Sequence, residues 1–202
     1  MKVLNRLRAF TLIELLVVIS IIAILAALAL PAITGALTRG QATQTLSNCK
    51  NLYLATFNMV ADGTTTYDSE LAWPGDEGVN SWANWAKGLT ENGYLSTNDF
   101  NKMLLAPGIN RAGNSSPQTS TPSAINLYAV TSASPMDAII FSTANIEDVG
   151  ALDKAKLPYG DKLFILFRKG GDGTVYQGSQ STKESLFFPD TTVYSALDDK
   201  LN

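Results

Sequence analysis

The sequence predicts an α+β protein, with one long N-terminal helix packed on a C-terminal antiparallel sheet. Three observations carry that expectation. Residues 10–30 hold only three polar side chains, Thr11, Glu14 and Ser20. Apolar residues then recur at spacings of three and four as far as Val60, the period of a helix with one buried face. The last third consists of short β-prone runs separated by glycine-rich turns.

The chain has 202 residues, enough for one domain of ordinary size and an anchor. Residues 1–9 form a short basic head carrying Lys2, Arg6 and Arg8. Without that head, twelve basic residues face eighteen acidic ones, a net charge of −6. No basic stripe is interleaved with aromatics, so nucleic acid is not an expected partner. Histidine is absent, which removes Ser-His-Asp and Cys-His catalysis and histidine zinc sites. No phosphate-binding loop, dinucleotide fingerprint or nucleophile elbow is present either, and an enzymatic role is not expected. The one cysteine, Cys49, cannot form an intrachain disulfide and falls on the apolar helical stripe, as a buried structural thiol would.

Residues 10–30, as a helix of ~1.5 Å per residue, span about 30 Å, the thickness of a bilayer core. The positive head puts the N-terminus in the cytoplasm and exports the remainder. Three readings compete for this segment. One is a secretory signal cut after Ala27-Leu28-Ala29. Another is a plain single-span anchor. Neither explains Glu14, since a carboxylate at the middle of a bilayer costs about 2.5–3.5 kcal/mol on insertion scales and less near the interface.

The third reading uses more of the residues. Ala9-Phe10-Thr11-Leu12-Ile13-Glu14, followed by the apolar run, resembles the prepilin cleavage motif of type IV pilins and type II secretion pseudopilins. The resemblance covers roughly residues 1–55. It implies that a membrane aspartyl peptidase, the prepilin peptidase, cuts between Ala9 and Phe10 and methylates the new Phe10 amine. Ala9 stands where that family usually has glycine. The resemblance also implies assembly roles for Glu14 and Pro31: Glu14 would meet the Phe10 amine of a neighbouring copy, and the helix would melt near Pro31 as the filament forms. An intrachain contact of Glu14 is the simpler alternative. Its implied partners are further copies of the chain, other pilin-like subunits, an inner-membrane assembly platform and the lipid bilayer. The implied location is the bacterial inner membrane, then a periplasmic or surface filament.

These readings divide the chain into a leader (1–9), a transmembrane or filament-core helix (10–30), an amphipathic continuation (31–63) and a globular part (64–202). The helix is expected from Phe10 to about Val60, with Leu46, Cys49, Tyr53, Phe57 and Val60 facing the core. Pro31, Gly35 and Gly40 are its weak points, and Asp62-Gly63 is its expected stop. Residues 80–89 read as a short helix bearing Trp82 and Trp85, and Ser96 as the cap of another over 97–105. Residues 112–123 read as a polar loop that contains the glycosylation triplet Asn114-Ser115-Ser116. Strands are expected over 124–131, 138–142 and 162–168, the last pairing with 174–177 across Gly170-Gly171-Asp172-Gly173, with edge pieces at 185–188 and 191–194.

Asp161, Asp172 and Asp190 near the glycine turn form a weak calcium set, since calcium takes several carboxylate and carbonyl oxygens. No other cofactor is expected. Two functions follow. The chain is either a structural subunit of a pilus or secretion pseudopilus, or a membrane-tethered binding domain with Trp73, Trp82 and Trp85 in a ligand groove. Within the first, the resemblance implies a lean toward the pseudopilus, because many pilus-forming members of that family have a C-terminal disulfide and this chain has one cysteine.

Overall fold

A computed structural model describes residues 11–79, 81–109, 123–148, 151–152, 157–183 and 186. Their element order is α1 (Leu12–Thr66), α2 (Trp82–Glu91), α3 (Thr97–Met103), then β1 (Ile125–Leu127), β2 (Ile139–Thr143), β3 (Ile146–Asp148), β4 (Ala151–Leu152), β5 (Leu163–Arg168) and β6 (Gly173–Gln177), with a short 3-10 turn at Gly178–Gln180. The chain forms two compact units that divide after Gly40. In the first unit, every described residue from 11 to 37 is exposed, including Leu12 at 81% and Leu28 at 74%. An apolar helix of this kind has no partner within its own unit.

In the second unit, α1 packs on a four-stranded antiparallel sheet ordered β1-β2-β5-β6. This is the α+β arrangement expected of a pilin-like chain. The row that α1 buries is Ala42, Thr45, Cys49, Leu52, Ala55, Thr56, Met59 and Gly63. It differs from the expected stripe by about one position. Cys49 is common to both; Leu46, Tyr53 and Val60 flank the core half-buried, and Phe57 is exposed. The aromatic side chains Tyr53 and Phe57 point the sequence pattern one way, whereas the buried row alternates small residues with Leu52 and Met59. A helical residue covers surface beside its own Cα, so a large neighbour can lean in from the flank.

The end of α1 shows the same effect. The helix runs through Asp62-Gly63 to Thr66 instead of stopping there. Gly63 is buried against residue 71, and a Cβ at this position would overlap the Leu71 carbonyl. The glycine serves close backbone approach here, not termination. The hydroxyls of Thr64, Thr65 and Thr66 donate to the carbonyls of Ala61 and Asp62 over the last turn, at 2.7–2.9 Å.

The small helices start at serine caps. Ser81 accepts from the Asn84 N–H at 3.2 Å and begins α2 two residues later than expected. Ser96 accepts from the Asp99 N–H at 3.1 Å, as its sequence predicts, and α3 ends at Met103. The strands lie near their expected places, with 124–131 reduced to the three residues of β1. The β5–β6 hairpin pairs Leu163 with Gln177 and Phe167 with Gly173. Gly171 turns it at φ +87°, a conformation that costs glycine little. The paired β3 and β4 were not anticipated. The expected pieces at 185–188 and 191–194, all but Leu186, lie outside the described residues, as does nearly all of the polar loop 112–123.

Side-chain alternation on β5 serves both faces of the sheet and feeds three clusters. Phe167 joins Phe141, Trp85, Phe100 and the α1 row; Leu163 and Ile165 join Ala42 and Tyr159; Phe164 and Leu166 pack with Tyr128 and Ile139 in a separate cluster. Several buried polar groups find partners across these layers, whereas the buried Asn145 Oδ1 has none among the described residues. Trp85 donates its indole N–H to Thr56 Oγ1 at 3.1 Å, and Thr45 and Tyr159 share a hydrogen bond of 2.8 Å. Lys169 is 4% exposed; its Nζ donates to the carbonyls of Ser132 (2.8 Å) and Ser134 (2.6 Å) and lies 5.4 Å from the centre of the Trp73 ring.

Three outcomes are expected for this unit. A fragment of residues 41–202 should melt cooperatively in urea with mixed helix and sheet by circular dichroism. In it, Lys169→Met should cost about 1–3 kcal/mol, because the buried Ser134 carbonyl and the Ser132 carbonyl lose their donor. Burial pushes the Cys49 thiol up to about 12, so iodoacetamide at pH 8 should leave the folded fragment unmodified and alkylate it fully in denaturant.

Candidate processing and assembly segment

The described chain begins at Thr11, so Ala9 and Phe10 lie outside the described residues. The next positions form a capping box. Thr11 donates its backbone N–H and its hydroxyl to Glu14 Oε2, both at 2.8 Å, and the Glu14 N–H donates back to Thr11 Oγ1 at 3.3 Å. Thr-x-x-Glu before an apolar run is the signature of that arrangement, and the sequence reading passed over it in favour of longer-range roles for Glu14. Glu14 is the acidic residue of the first helical turn, where the partial positive charge of the helix end favours a carboxylate. The same side chain therefore holds the start of α1 and offers a second oxygen, Oε1, for a further donor.

Pro31 lies inside α1, which remains helical through it. It has no N–H to give to the carbonyl four residues earlier. Its own carbonyl accepts the Thr34 hydroxyl at 3.0 Å. Among the described residues one helix, α1, is long and apolar enough to cross a membrane, and its apolar window is not buried at all.

The other sequence candidates are dispersed. Trp73, Trp82 and Trp85 are 8%, 6% and 0% exposed. The ring centres of Trp82 and Trp85 lie 5.3 Å apart, and Trp85 continues to Phe100 at 5.6 Å and Phe141 at 5.7 Å. These tryptophans belong to the buried core of the unit instead of lining an open groove. Asp172 is paired with Arg168, 3.1 Å from its guanidinium. Asp161 precedes β5 and Asp172 follows it, so a strand of about 20 Å separates them and they cannot hold one ion together. Asp190 lies outside the described residues. Among the described residues no group of three or more His, Cys, Asp or Glu side chains is placed to bind a metal.

No curated protein and no solved structure matches the chain. A family model does match its head: the prokaryotic N-terminal methylation motif, over residues 4–30. That stretch contains Thr11, Glu14 and all of α1 up to the residue before Pro31. The chain therefore carries the hallmark of the prepilin-type signal found on type IV pilins and pseudopilins.

Proposed function

We propose that this protein is a structural subunit of a type II secretion pseudopilus or of a type IV pilus-like filament, cut before Phe10, methylated on the new amine and assembled through α1. The observation that carries the reading is the methylation motif standing at the head of a helix whose first half packs against nothing in its own unit. Such a surface is stable only in lipid or against other apolar helices. The partners follow from that: prepilin peptidase for maturation, the bilayer before assembly, then copies of the chain or other pilin-like subunits brought together by an inner-membrane platform. The N-terminus faces the cytoplasm and the unit from Gln41 onward is exported, in keeping with the basic head. The tethered-binding-domain alternative loses its supporting feature with the burial of the tryptophans.

Glu14 is the residue through which cutting and assembly connect. Removing residues 1–9 creates an ammonium four residues from this carboxylate. An ammonium and a carboxylate are each unfavourable alone in hydrocarbon, and pairing across neighbouring copies relieves both while fixing the register of helices that would otherwise slide.

Intact mass of the membrane-bound protein should show loss of residues 1–9 and the addition of one methyl group; a mature start at Leu30 would overturn the reading. For Glu14, filament yield by electron microscopy of sheared material is compared with processed subunit in the membrane. Glu14→Ala should remain inserted and processed but lose at least tenfold in filaments. Glu14→Gln separates the two jobs of the side chain, because glutamine keeps the capping box and loses the charge. Failure of Glu14→Gln to assemble supports charge pairing; normal filaments from it would leave capping as the role.

A further inference from the structure

We propose that Asn92 is a site of spontaneous covalent modification, at which the side-chain amide is lost to the backbone nitrogen of Gly93 and the end of α2 is unfastened. Asparagine followed by glycine occurs once in the sequence, at Asn92-Gly93. The pair ends α2: Asn92 is its C-cap, and Gly93 follows at φ +80°. Both are exposed, so water and hydroxide reach them. A Cβ at Gly93 would meet nothing within 4 Å, which leaves room for a ring to close there. Glycine also puts no side chain in the way of its own nitrogen. The bonds that close this helix end use other donors. Leu95 donates its N–H to the Leu89 carbonyl at 3.0 Å, and Asn92 donates Nδ2 to the Gly88 carbonyl at 3.0 Å.

The second of these bonds restrains the reaction. It holds the side-chain amide back along the helix, and the ring closes when the helix end frays. Water and hydroxide are the sole co-reactants. Hydroxide removes the Gly93 amide proton, the nitrogen attacks Asn92 Cγ, and the Cγ–Nδ2 bond breaks. Ammonia leaves with a proton taken from water, and a succinimide ring remains. Water then adds to either ring carbonyl and the C–N bond on that side opens, which gives aspartate or isoaspartate. Nothing is oxidised or reduced. Neither product has a donor for the Gly88 carbonyl. Each sets a carboxylate at the negative end of α2, in a cleft that Asn92 shares with Glu70 and Glu91. The helix that carries Trp82 and Trp85 thereby loses the fastening of its last turn.

The test uses the full chain in detergent micelles, held in mildly alkaline buffer, sampled over days and mapped by peptide mass. The peptide released between Lys87 and Lys102 should separate into asparagine, aspartate and isoaspartate forms, the last two carrying O in place of NH. Conversion at Asn92 should outrun that at the exposed Asn58 and Asn84, which precede Met59 and Trp85, by roughly tenfold or more. Urea should speed it further by removing the bond to Gly88. Asn92→Asp reproduces one product, and its amides over residues 89–95 should exchange roughly fivefold faster than in the parent. Absence of conversion at Asn92, a rate no higher than at Asn58 and Asn84, a rate that urea does not raise, or unchanged exchange in Asn92→Asp would each overturn the proposal.

Discussion

How closely the rest of the chain can approach α1 is set by one row of small and medium side chains. Ala42, Thr45, Cys49, Leu52, Thr56, Met59 and Gly63 leave little thickness between the helix backbone and what lies on it. Residue 71 can then rest its carbonyl against Gly63, and Trp85 can reach Thr56 with its indole nitrogen. That hydrogen bond fixes the tilt of the largest buried side chain, which in turn supports Phe100 and Phe141. A bulkier row would push the layers apart and forfeit these contacts, because interiors are packed to crystal-like density and do not absorb extra volume.

The two halves of α1 obey opposite rules. Beyond Gln41 the helix is one-sided, and its inward row decides the packing. Over residues 15–33 it is apolar on nearly all sides, with isoleucines, leucines and valines on every face left open. At about 25 cal/mol per Å² of apolar surface, such a segment does not persist in water; its environment has to be another apolar phase. The capping box at Thr11 and Glu14 gives two of the first donors, the N–H groups of those two residues, a partner of their own, which matters most where no water is at hand.

The parts of this structure that local chemistry dictates were legible in the sequence. The Gly170–Gly173 turn, the serine cap at Ser96 and the motif at residues 9–14 each depend on a few neighbouring residues. What depended on distant ones was not. Tyr53 and Phe57 point the inward row of α1 one way, although the sheet and α2 select the row beside them. Gly63 looked like a stop because its meaning lies eight residues further on, at Leu71. The tryptophans could be a platform or a core in sequence, and only the facing Thr56 and Phe141 distinguish the two. β3 and β4 are too short to carry a periodic signal. For the assembly segment, the sequence pointed to Glu14 but not to the neighbour that engages it, Thr11, although the spacing for it was present.

Burial of Cys49 also places a demand on timing. The thiol is shielded by the finished core and by nothing local, since its neighbours on α1, Asn48 and Lys50, are polar. If the unit is exported to an oxidising compartment, as proposed above, the new chain presents a reactive sulfur until α1 closes onto the sheet. Crowded at one membrane, unfinished chains could then be joined covalently in pairs. Rapid closure of the unit is therefore a form of redox protection: the race between folding and oxidation decides how many chains remain usable.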